Sequence, residues 1–180
     1  MRDTLHDRHG MKRQAARLVT AQVLMLLVGA AAAKAQDRLG GHMGFVLPLV
    51  THAGGDTTNL SDNFSIGFPI GITVKTASRM AFDLEFVPLI QDSPRQVSLT
   101  VHPGLIWGIG HGFAVGARLA FDVNSPQFGF TPLLNKSWPI EHSFFKAYFV
   151  EADLPVRFNR PVGGPATNPV TFAMHFGLGF

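Results

Sequence analysis

The sequence predicts an all-β protein, namely a closed antiparallel up-and-down barrel of about eight strands, preceded by an N-terminal signal helix. The first observation is that apolar and polar residues alternate with a period of two, most regularly over 170–180. The second is that turn-rich clusters divide the chain into eight such segments, with no long amphipathic helical stretch. An even number of strands in a short chain suits a small closed barrel.

The first 35 residues have the composition of a secretory signal peptide. A basic stretch over 11–17 precedes an apolar run over 18–33, and Ala33 and Ala35 supply the small-x-small cleavage pattern. Because the run is shorter than the roughly 20 residues that a spanning helix needs, a retained anchor is the weaker interpretation. We therefore expect cleavage after Ala35.

We expect the true start at Met11, because Asp3 and Asp7 suit the basic start of a signal poorly. The mature chain is then one domain over 36–180. Residues 1–35 hold six bases and two acids, which leaves nine bases and ten acids in the remainder. That balance, without a basic cluster, excludes the electrostatic footprint of nucleic-acid binding. The absence of cysteine excludes disulfides and thiolate chemistry.

Eight strands follow one another between turn clusters. We place them at 41–51, 63–75, 80–90, 96–109, 113–123, 127–138, 144–158 and 170–180. The first is apolar on both faces, which leaves its register open. The second alternates regularly, and the third sets large apolar residues against Asp83 and Glu85. The fourth carries Ser98 and His102 on one face.

The later strands repeat this division between an apolar and a polar face. The fifth sets aromatic and aliphatic residues against Arg118 and Asp122. The sixth is bounded by turns, and the seventh sets apolar residues against Glu151, Asp153 and Arg157. The eighth alternates without a fault and ends on an aromatic. The connections over 52–62 and 159–169 are the longest, and they are interpreted as mobile exposed loops.

The apolar face is predicted to contact lipid and the polar face to line the lumen. The polar face consists mostly of Gly, Ala, Ser and Thr, whereas a water-facing wall would carry interspersed Lys and Glu. Small residues also suit the narrow lumen of an eight-stranded barrel. The alternative is a soluble periplasmic barrel of the lipocalin kind, which would bind a hydrophobic ligand inside.

The few charges on the polar face can neutralise one another if they point into the lumen, and buried charges are tolerated only when they are paired. The predicted lumen charge network consists of Lys75, Asp83, Glu85, Arg118, Asp122, Glu151, Asp153 and Arg157. Such a network would brace the barrel and block the free flow of water. The expected function is thus structural or in envelope interaction, and the alternative is a narrow channel for small or apolar molecules.

Two lysines on the apolar face fall beside the turn predicted at 139–143. A lipid-facing Lys costs about 2–4 kcal/mol at mid-membrane but about 0–1 kcal/mol near the interface, where it can snorkel. Interfacial positions also favour Trp and Tyr. The predicted interfacial anchors are Trp107, Trp138, Lys136, Lys146 and Tyr148.

The closing strand carries the most motif-like feature of the barrel segment. Phe176, Leu178 and Phe180 share its apolar face. This resembles the closing strand of bacterial outer-membrane β-barrels, which typically end in Phe. The resemblance implies an outer-membrane location, contact with outer-membrane lipid, and a C-terminal assembly signal for the barrel-assembly machinery. We expect a monomer and assign no subfamily.

Candidate chemistry is sparse. His102 and His175 face the predicted lumen and are interpreted as structural. Ser98, His102 and Asp122 could form a Ser-His-Asp set, but inside a packed lumen it would be out of reach of lipid, unlike the sites of outer-membrane lipid-modifying enzymes. Metal, phosphate and nucleophile-elbow motifs are absent from the sequence. We expect no catalytic residue, no metal and no cofactor.

Prolines interrupt six of the predicted strands, although a proline cannot donate to a sheet ladder. Pro48, Pro88 and Pro155 lie toward the outer ends, where pairing could stop. The remaining three, Pro69, Pro103 and Pro132, have no explanation in the pattern.

Overall fold

The computed structural model describes residues 38–76, 78–123, 125, 127–142, 144–161 and 163–180. The predicted signal helix and its cleavage residues Ala33 and Ala35 lie outside the described residues. No helix in the described part of the chain is long and apolar enough to cross a membrane. Residues Leu39–Phe180 form one compact unit.

The described residues form eleven β-strand segments. They are β1 (Leu39–Ala53), β2 (Asp56–Asn59), β3 (Ser65–Gly67), β4 (Ile70–Lys75), β5 (Met80–Gln91), β6 (Gln96–Gly110), β7 (Phe113–Asp122), β8 (Gln127–Pro139), β9 (Ala147–Asp153), β10 (Val156–Asn159) and β11 (Val170–Gly179). β2, β3 and β4 are successive parts of the second barrel strand, since all three pair with β1. β9 and β10 are two parts of the seventh. The described segments thus make eight barrel strands.

Each barrel strand pairs antiparallel with its sequence neighbours, and the first pairs with the last. In this seam between β1 and β11, Met43 lies opposite Leu178. Gly41 and Phe180 exchange two backbone hydrogen bonds of 2.9 Å at its end. The prediction of a closed antiparallel barrel of eight strands is therefore confirmed.

Both ends of the barrel chain lie at the same end of the barrel, together with the β4–β5, β6–β7 and β8–β9 connections. We call this the terminal end and the opposite end the loop end. The loop end holds the β5–β6, β7–β8 and β10–β11 connections and the β1–β2 hairpin. Along each strand, alternate side chains point into the lumen and out of the barrel.

The distribution of side chains is inverted relative to that of a water-soluble domain. Among the described residues, nine polar or charged side chains are buried but only five apolar ones. Thirty large apolar side chains are instead exposed, and in β4 these include Ile70, Ile72 and Val74. So many exposed large apolar side chains are unusual for a soluble monomer, which carries only small apolar patches.

Pro69 and Pro155 each divide a barrel strand, and a proline of the neighbouring strand lies opposite each break. Pro69 separates β3 from β4, and the Phe68 N–H donates to the Pro88 carbonyl of β5 at 2.9 Å. Pro132 of β8 lies opposite the break between β9 and β10, where the Leu154 N–H donates to its carbonyl at 3.0 Å. Pro88 and Pro132, which lack a donor, therefore lie opposite positions where the ladder of the neighbouring strand is already interrupted.

The other two prolines also coincide with irregular pairing. Pro48 lies at the β-bulge where the register of β1 shifts against β11. The β6–β7 ladder skips Pro103, because pairing resumes at Gly104 after Val101. These local breaks accommodate both prolines, and the barrel remains closed. The expectation that pairing stops at Pro48 was wrong, because β1 continues to Ala53.

Part of the connection expected at 52–62 is not a mobile loop. β1 continues to Ala53 and forms a hairpin with β2, in which His52 pairs with Thr57. The turn is made by Gly54 and Gly55, whose φ angles of 61° and 95° lie in the left-handed region that favours glycine. The Gly-Gly pair thus forms a tight turn here, and the loop prediction was wrong at this point.

Candidate functional site

Ionisable side chains gather midway along the lumen. The set comprises His42, Asp83, Glu85, His102, Arg118, Glu151, Asp153 and His175, which we call the lumen cluster; each member is at most 7% exposed. The cluster forms because alternate residues point inward, so that Asp83 and Glu85 come from β5 and Glu151 and Asp153 from β9. β1, β6, β7 and β11 contribute one member each.

Arg118 is the centre of the lumen cluster. Its Nε donates to Asp83 Oδ2 at 2.8 Å, and its Nη1 donates to Glu151 Oε1 at 2.6 Å. Glu85 and Asp153 lie 3.8 and 3.9 Å from the same guanidinium. A single cation therefore bridges four carboxylates on two strands. Gly104 provides the space, because a Cβ there would lie 2.6 Å from Arg118 Cγ.

Glu85 is held between two imidazoles. His42 Nε2 and His102 Nδ1 each lie 3.0 Å from one of its carboxylate oxygens. His102 Nε2 lies 3.1 Å from Nη2 of Arg157. Because a guanidinium can only donate, His102 must accept at Nε2 and carry its proton on Nδ1. His102 thus links the Glu85 carboxylate to the Arg157 guanidinium.

The sequence pattern missed His42. The bulge beside Pro48 changes the phase of β1 halfway along, so neither face of this strand shows a continuous alternation. A usable signal was its place between Gly40 and Gly44 on one face. In the structure, His42 lies opposite Gly71, and a Cβ on Gly71 would overlap the imidazole ring.

Uncharged side chains complete the hydrogen bonding of two carboxylates. The Thr73 hydroxyl donates to Asp83 Oδ1 at 2.8 Å, and the Asn135 amide donates to Glu151 Oε2 at 3.0 Å. Both residues lie toward the terminal end of the lumen cluster. They fix the two carboxylates that Arg118 binds most closely.

Asp153 and His175 are less completely bonded. Asp153 Oδ1 and His175 Nε2 are buried and have no hydrogen-bond partner among the described residues. His175 Nδ1 lies 3.5 Å from Glu151 Oε1. Glu151, Asp153 and His175 each present one potential ligand atom within 4.8 Å of those of the other two. These three are the residues of the described chain that could hold a metal ion.

Three other residues of the predicted network lie outside the lumen cluster. Arg157 borders it on the loop side and also donates to Thr131 at 3.2 Å. Asp122 accepts from Thr100 at 2.6 Å, apart from the cluster. The prediction that Lys75 joins the network was wrong. Its side chain is exposed and makes no ion pair with the described residues, because it is the last residue of β4 at the terminal end.

Ser98, His102 and Asp122 do not form a Ser-His-Asp set in the structure. His102 contacts Glu85 and Arg157, and Asp122 contacts Thr100. Among the described residues, no hydrogen bond joins Ser98 to His102 or His102 to Asp122. The geometry thus contains no activated serine at this position.

The lumen cluster separates two cavities. One has a volume of about 920 Å³ and is lined by loop-end residues such as Gln96 and Ser125. The other has a volume of about 190 Å³ and is lined by terminal-end residues such as Ser137 and Ala147. Arg118 borders both cavities. One layer of side chains therefore lies between the two cavities.

The predicted interfacial anchors lie toward the terminal end of the barrel. They are Trp107, Trp138, Lys136, Lys146 and Tyr148. The Trp138 and Tyr148 rings stack on the outer face with their centroids 5.0 Å apart. Lys136 Nζ lies 4.3 Å from the centroid of the Phe113 ring and donates to the His111 carbonyl. The Lys146 ammonium donates to the His142 carbonyl at 3.3 Å.

The predicted C-terminal signal residues line the outer face of the seam. Phe176 stacks on Phe45 with centroids 5.3 Å apart, and Leu178 lies opposite Met43. Phe180 stacks on Phe144 with centroids 5.0 Å apart. The closing strand therefore binds its neighbours through an aromatic outer surface as well as through its backbone.

No protein-family model matches the chain, and no curated protein matches it. Among solved structures, the crystal structure of the outer membrane protein OprG from Pseudomonas aeruginosa is similar, with 13% sequence identity and a TM-score of 0.38. The match covers 79% of this chain and 95% of that chain. The fold of the protein rests on its own strand pairing.

Proposed function

We propose that the protein is an integral outer-membrane β-barrel with a structural or envelope-interaction role, and that the lumen cluster closes its lumen. The observation that carries this proposal is the inverted distribution of side chains, with charges buried inside and large apolar residues exposed outside. An exterior of this kind is stable in hydrocarbon and unstable in water.

The length of the strands supports a membrane-spanning barrel. β6 has 15 residues, β7 has 10 and β8 has 13. A tilted strand needs roughly 9–11 residues to cross the hydrocarbon. The stacked Trp138 and Tyr148 and the nearby Lys136 fit the interface at the terminal end. By contrast, a lipocalin-like barrel would need an apolar interior, and this lumen holds charges.

Cell fractionation and gel mobility test the location and the fold together. We expect recovery in the outer-membrane fraction, and a different gel mobility for unheated and boiled samples because a closed barrel resists unfolding by detergent. A protein released in the soluble periplasmic fraction would contradict the proposal. We also propose that the barrel is a monomer whose closing strand, ending in Phe180, is handled by the barrel-assembly machinery.

A narrow channel is the second candidate, favoured by the two cavities on either side of the lumen cluster. Only one layer of side chains separates them, and Arg118 borders both. Conductance across planar bilayers distinguishes the two functions. A closed structural barrel should give no steady current. Arg118→Ser should raise the current, because it shortens the side chain that borders both cavities, and Arg95→Ser should leave the current unchanged. Steady current through the unaltered protein would favour the channel.

A further inference from the structure

The feature that the proposed function leaves unexplained is the side of the lumen cluster formed by β9 and β11. Asp153 is 6% exposed and His175 is 1% exposed. Asp153 Oδ1 and His175 Nε2 have no hydrogen-bond partner among the described residues. A buried polar atom without a partner loses its hydration without compensation. Both residues adjoin Glu151, which precedes Asp153 by two positions on β9 and pairs with His175 of β11.

The pairing of the carboxylates in the lumen cluster points in the same direction. All four share the guanidinium of Arg118, and Arg157 makes no ion pair with any of them among the described residues. Asp153 has the longest of these contacts, at 3.9 Å. A cation beside Asp153 would therefore provide this carboxylate with a close partner.

We infer that Glu151, Asp153 and His175 bind a divalent transition-metal cation of the Zn²⁺ type. One ligand atom from each lies within 4.8 Å of those of the other two. An imidazole together with two carboxylates is a donor set that Zn²⁺ accepts, with the remaining position open to water. Ca²⁺ and Mg²⁺ prefer oxygen ligands alone. The set therefore discriminates by its imidazole.

The loop-end cavity provides an entry path for the ion. Asp153 lines this cavity of about 920 Å³, and so does Asp122 nearer its mouth. Glu151 borders the smaller cavity on the opposite side. The ion would thus approach from the loop end and meet Asp153 first. Arg118 limits the affinity, because it already donates to Glu151.

The surrounding contacts orient the ligands. The Asn135 amide donates to Glu151 Oε2 at 3.0 Å and leaves Oε1 facing His175 Nδ1 at 3.5 Å. Hydrogen bonds of this kind hold ligands in place and raise affinity for a metal. The lumen would act as a selective binding site for the ion as well as a closed wall.

Zinc retention tests this inference on the protein extracted from membranes in detergent, without a histidine tag. After incubation with ZnCl₂ and dialysis, we expect one equivalent of zinc per chain by atomic absorption. Asp153→Asn keeps the size of the side chain but removes its charge, and should weaken binding by roughly tenfold or more. His175→Gln should do the same. CaCl₂ should not compete.

Two matched controls separate the lumen site from other binding. Asp122→Asn removes a carboxylate of the same cavity outside the cluster, and His52→Gln removes an exposed imidazole; both should retain zinc fully. Heat-dependent gel mobility verifies that each variant is folded. Absence of zinc in the unaltered protein, or equal retention in Asp153→Asn and His175→Gln, would overturn the inference. Fractionation is an independent measurement, so failure of either proposal is recognisable alone.

Discussion

Arg118 makes the interior of the barrel depend on one side chain. Its guanidinium is 4% exposed and contacts carboxylates on both β5 and β9. Replacing the members of a buried ion pair together can be tolerated, but removing one partner leaves uncompensated charge. The lumen cluster has no second guanidinium that contacts both strands.

Arg118→Met should therefore destabilise the barrel strongly. We expect a loss of about 3–5 kcal/mol in the free energy of unfolding, because the four carboxylates keep their burial but lose their common partner. Urea unfolding in lipid vesicles measures the change. Arg95→Met is the matched control, because Arg95 is exposed and its one ion pair among the described residues is with Asp92. Equal stability of the two variants would argue against a bracing role; Arg157→Met should fall between them.

The sequence predicted that every member of the lumen cluster except His42 faces the lumen. Asp83, Glu85 and Arg118 lie on strands whose polar face is regular, and the structure places them together. His42 was missed because a bulge changes the phase of its strand. Lys75 was included because alternation shows the face of a residue but not its depth along the barrel.

At the scale of the strand, glycines on the inner face provide space for the larger side chains opposite. A Cβ on Gly104 would lie 2.6 Å from Arg118 Cγ and from the Ala117 carbonyl oxygen. Gly108 lies on the same strand and face, but a Cβ there would meet only the Arg79 carbonyl oxygen, at 3.6 Å. The space at Gly104 is thus needed by Arg118, whereas no side chain lies within 4 Å of a Cβ at Gly108.

Gly104→Ala should be destabilising and Gly108→Ala nearly neutral. Overpacking a filled site costs about 1–3 kcal/mol, whereas 3.6 Å is an ordinary van der Waals separation. The apparent unfolding temperature compares the variants directly. It is measured by heating samples to increasing temperatures and following their mobility on gels. If both substitutions shifted it equally, conformational preference rather than the space for Arg118 would explain the glycines.

The boundaries of most strands could be predicted, but their interruptions could not. Alternation continues in the sequence through Pro69 and Pro155, although the structure divides both strands there. The facing prolines, Pro88 and Pro132, lie on neighbouring strands, and the pairing of one strand against another is not visible in a single strand pattern. The positions of these interruptions therefore depend on the register between neighbouring strands, which the sequence does not show.

At the scale of the whole molecule, the exterior is predicted to change from hydrocarbon to interface along one strand. Leu105 and Ile109 lie on the outer face of β6 and are 52% and 50% exposed. Leu105 lies at the level of the lumen cluster, beside Gly104, whereas Ile109 adjoins the terminal-end turn at Gly110. The two positions differ in depth but not in exposure.

Leu105→Arg should therefore destabilise the protein much more than Ile109→Arg in a bilayer. The expected losses are about 2–4 kcal/mol at mid-membrane and about 0–1 kcal/mol near the interface. Unfolding by urea in vesicles measures both. Two small and equal effects would mean that water surrounds the barrel at this depth, and would contradict the membrane location.

The closed eight-stranded fold was predictable because its evidence is periodic and extends over the whole barrel segment. The ion-binding arrangement of Glu151, Asp153 and His175 was not, since it joins neighbouring positions of β9 and β11 whose relative register no residue pattern encodes. Fold class follows from the average of many positions. A site depends on a few distances.

The seam between β1 and β11 also determines the order in which the strands of the barrel can pair. It pairs His42 with Gly179, so the first barrel strand cannot complete its pairing until the last one has been synthesised. Contacts between such distant positions form slowly, because the whole intervening chain must be closed into a loop. Until then, β1 has an unpaired edge and an apolar face. Closure by the terminal strand therefore leaves an edge of β1 that can pair with other chains until the last strand docks.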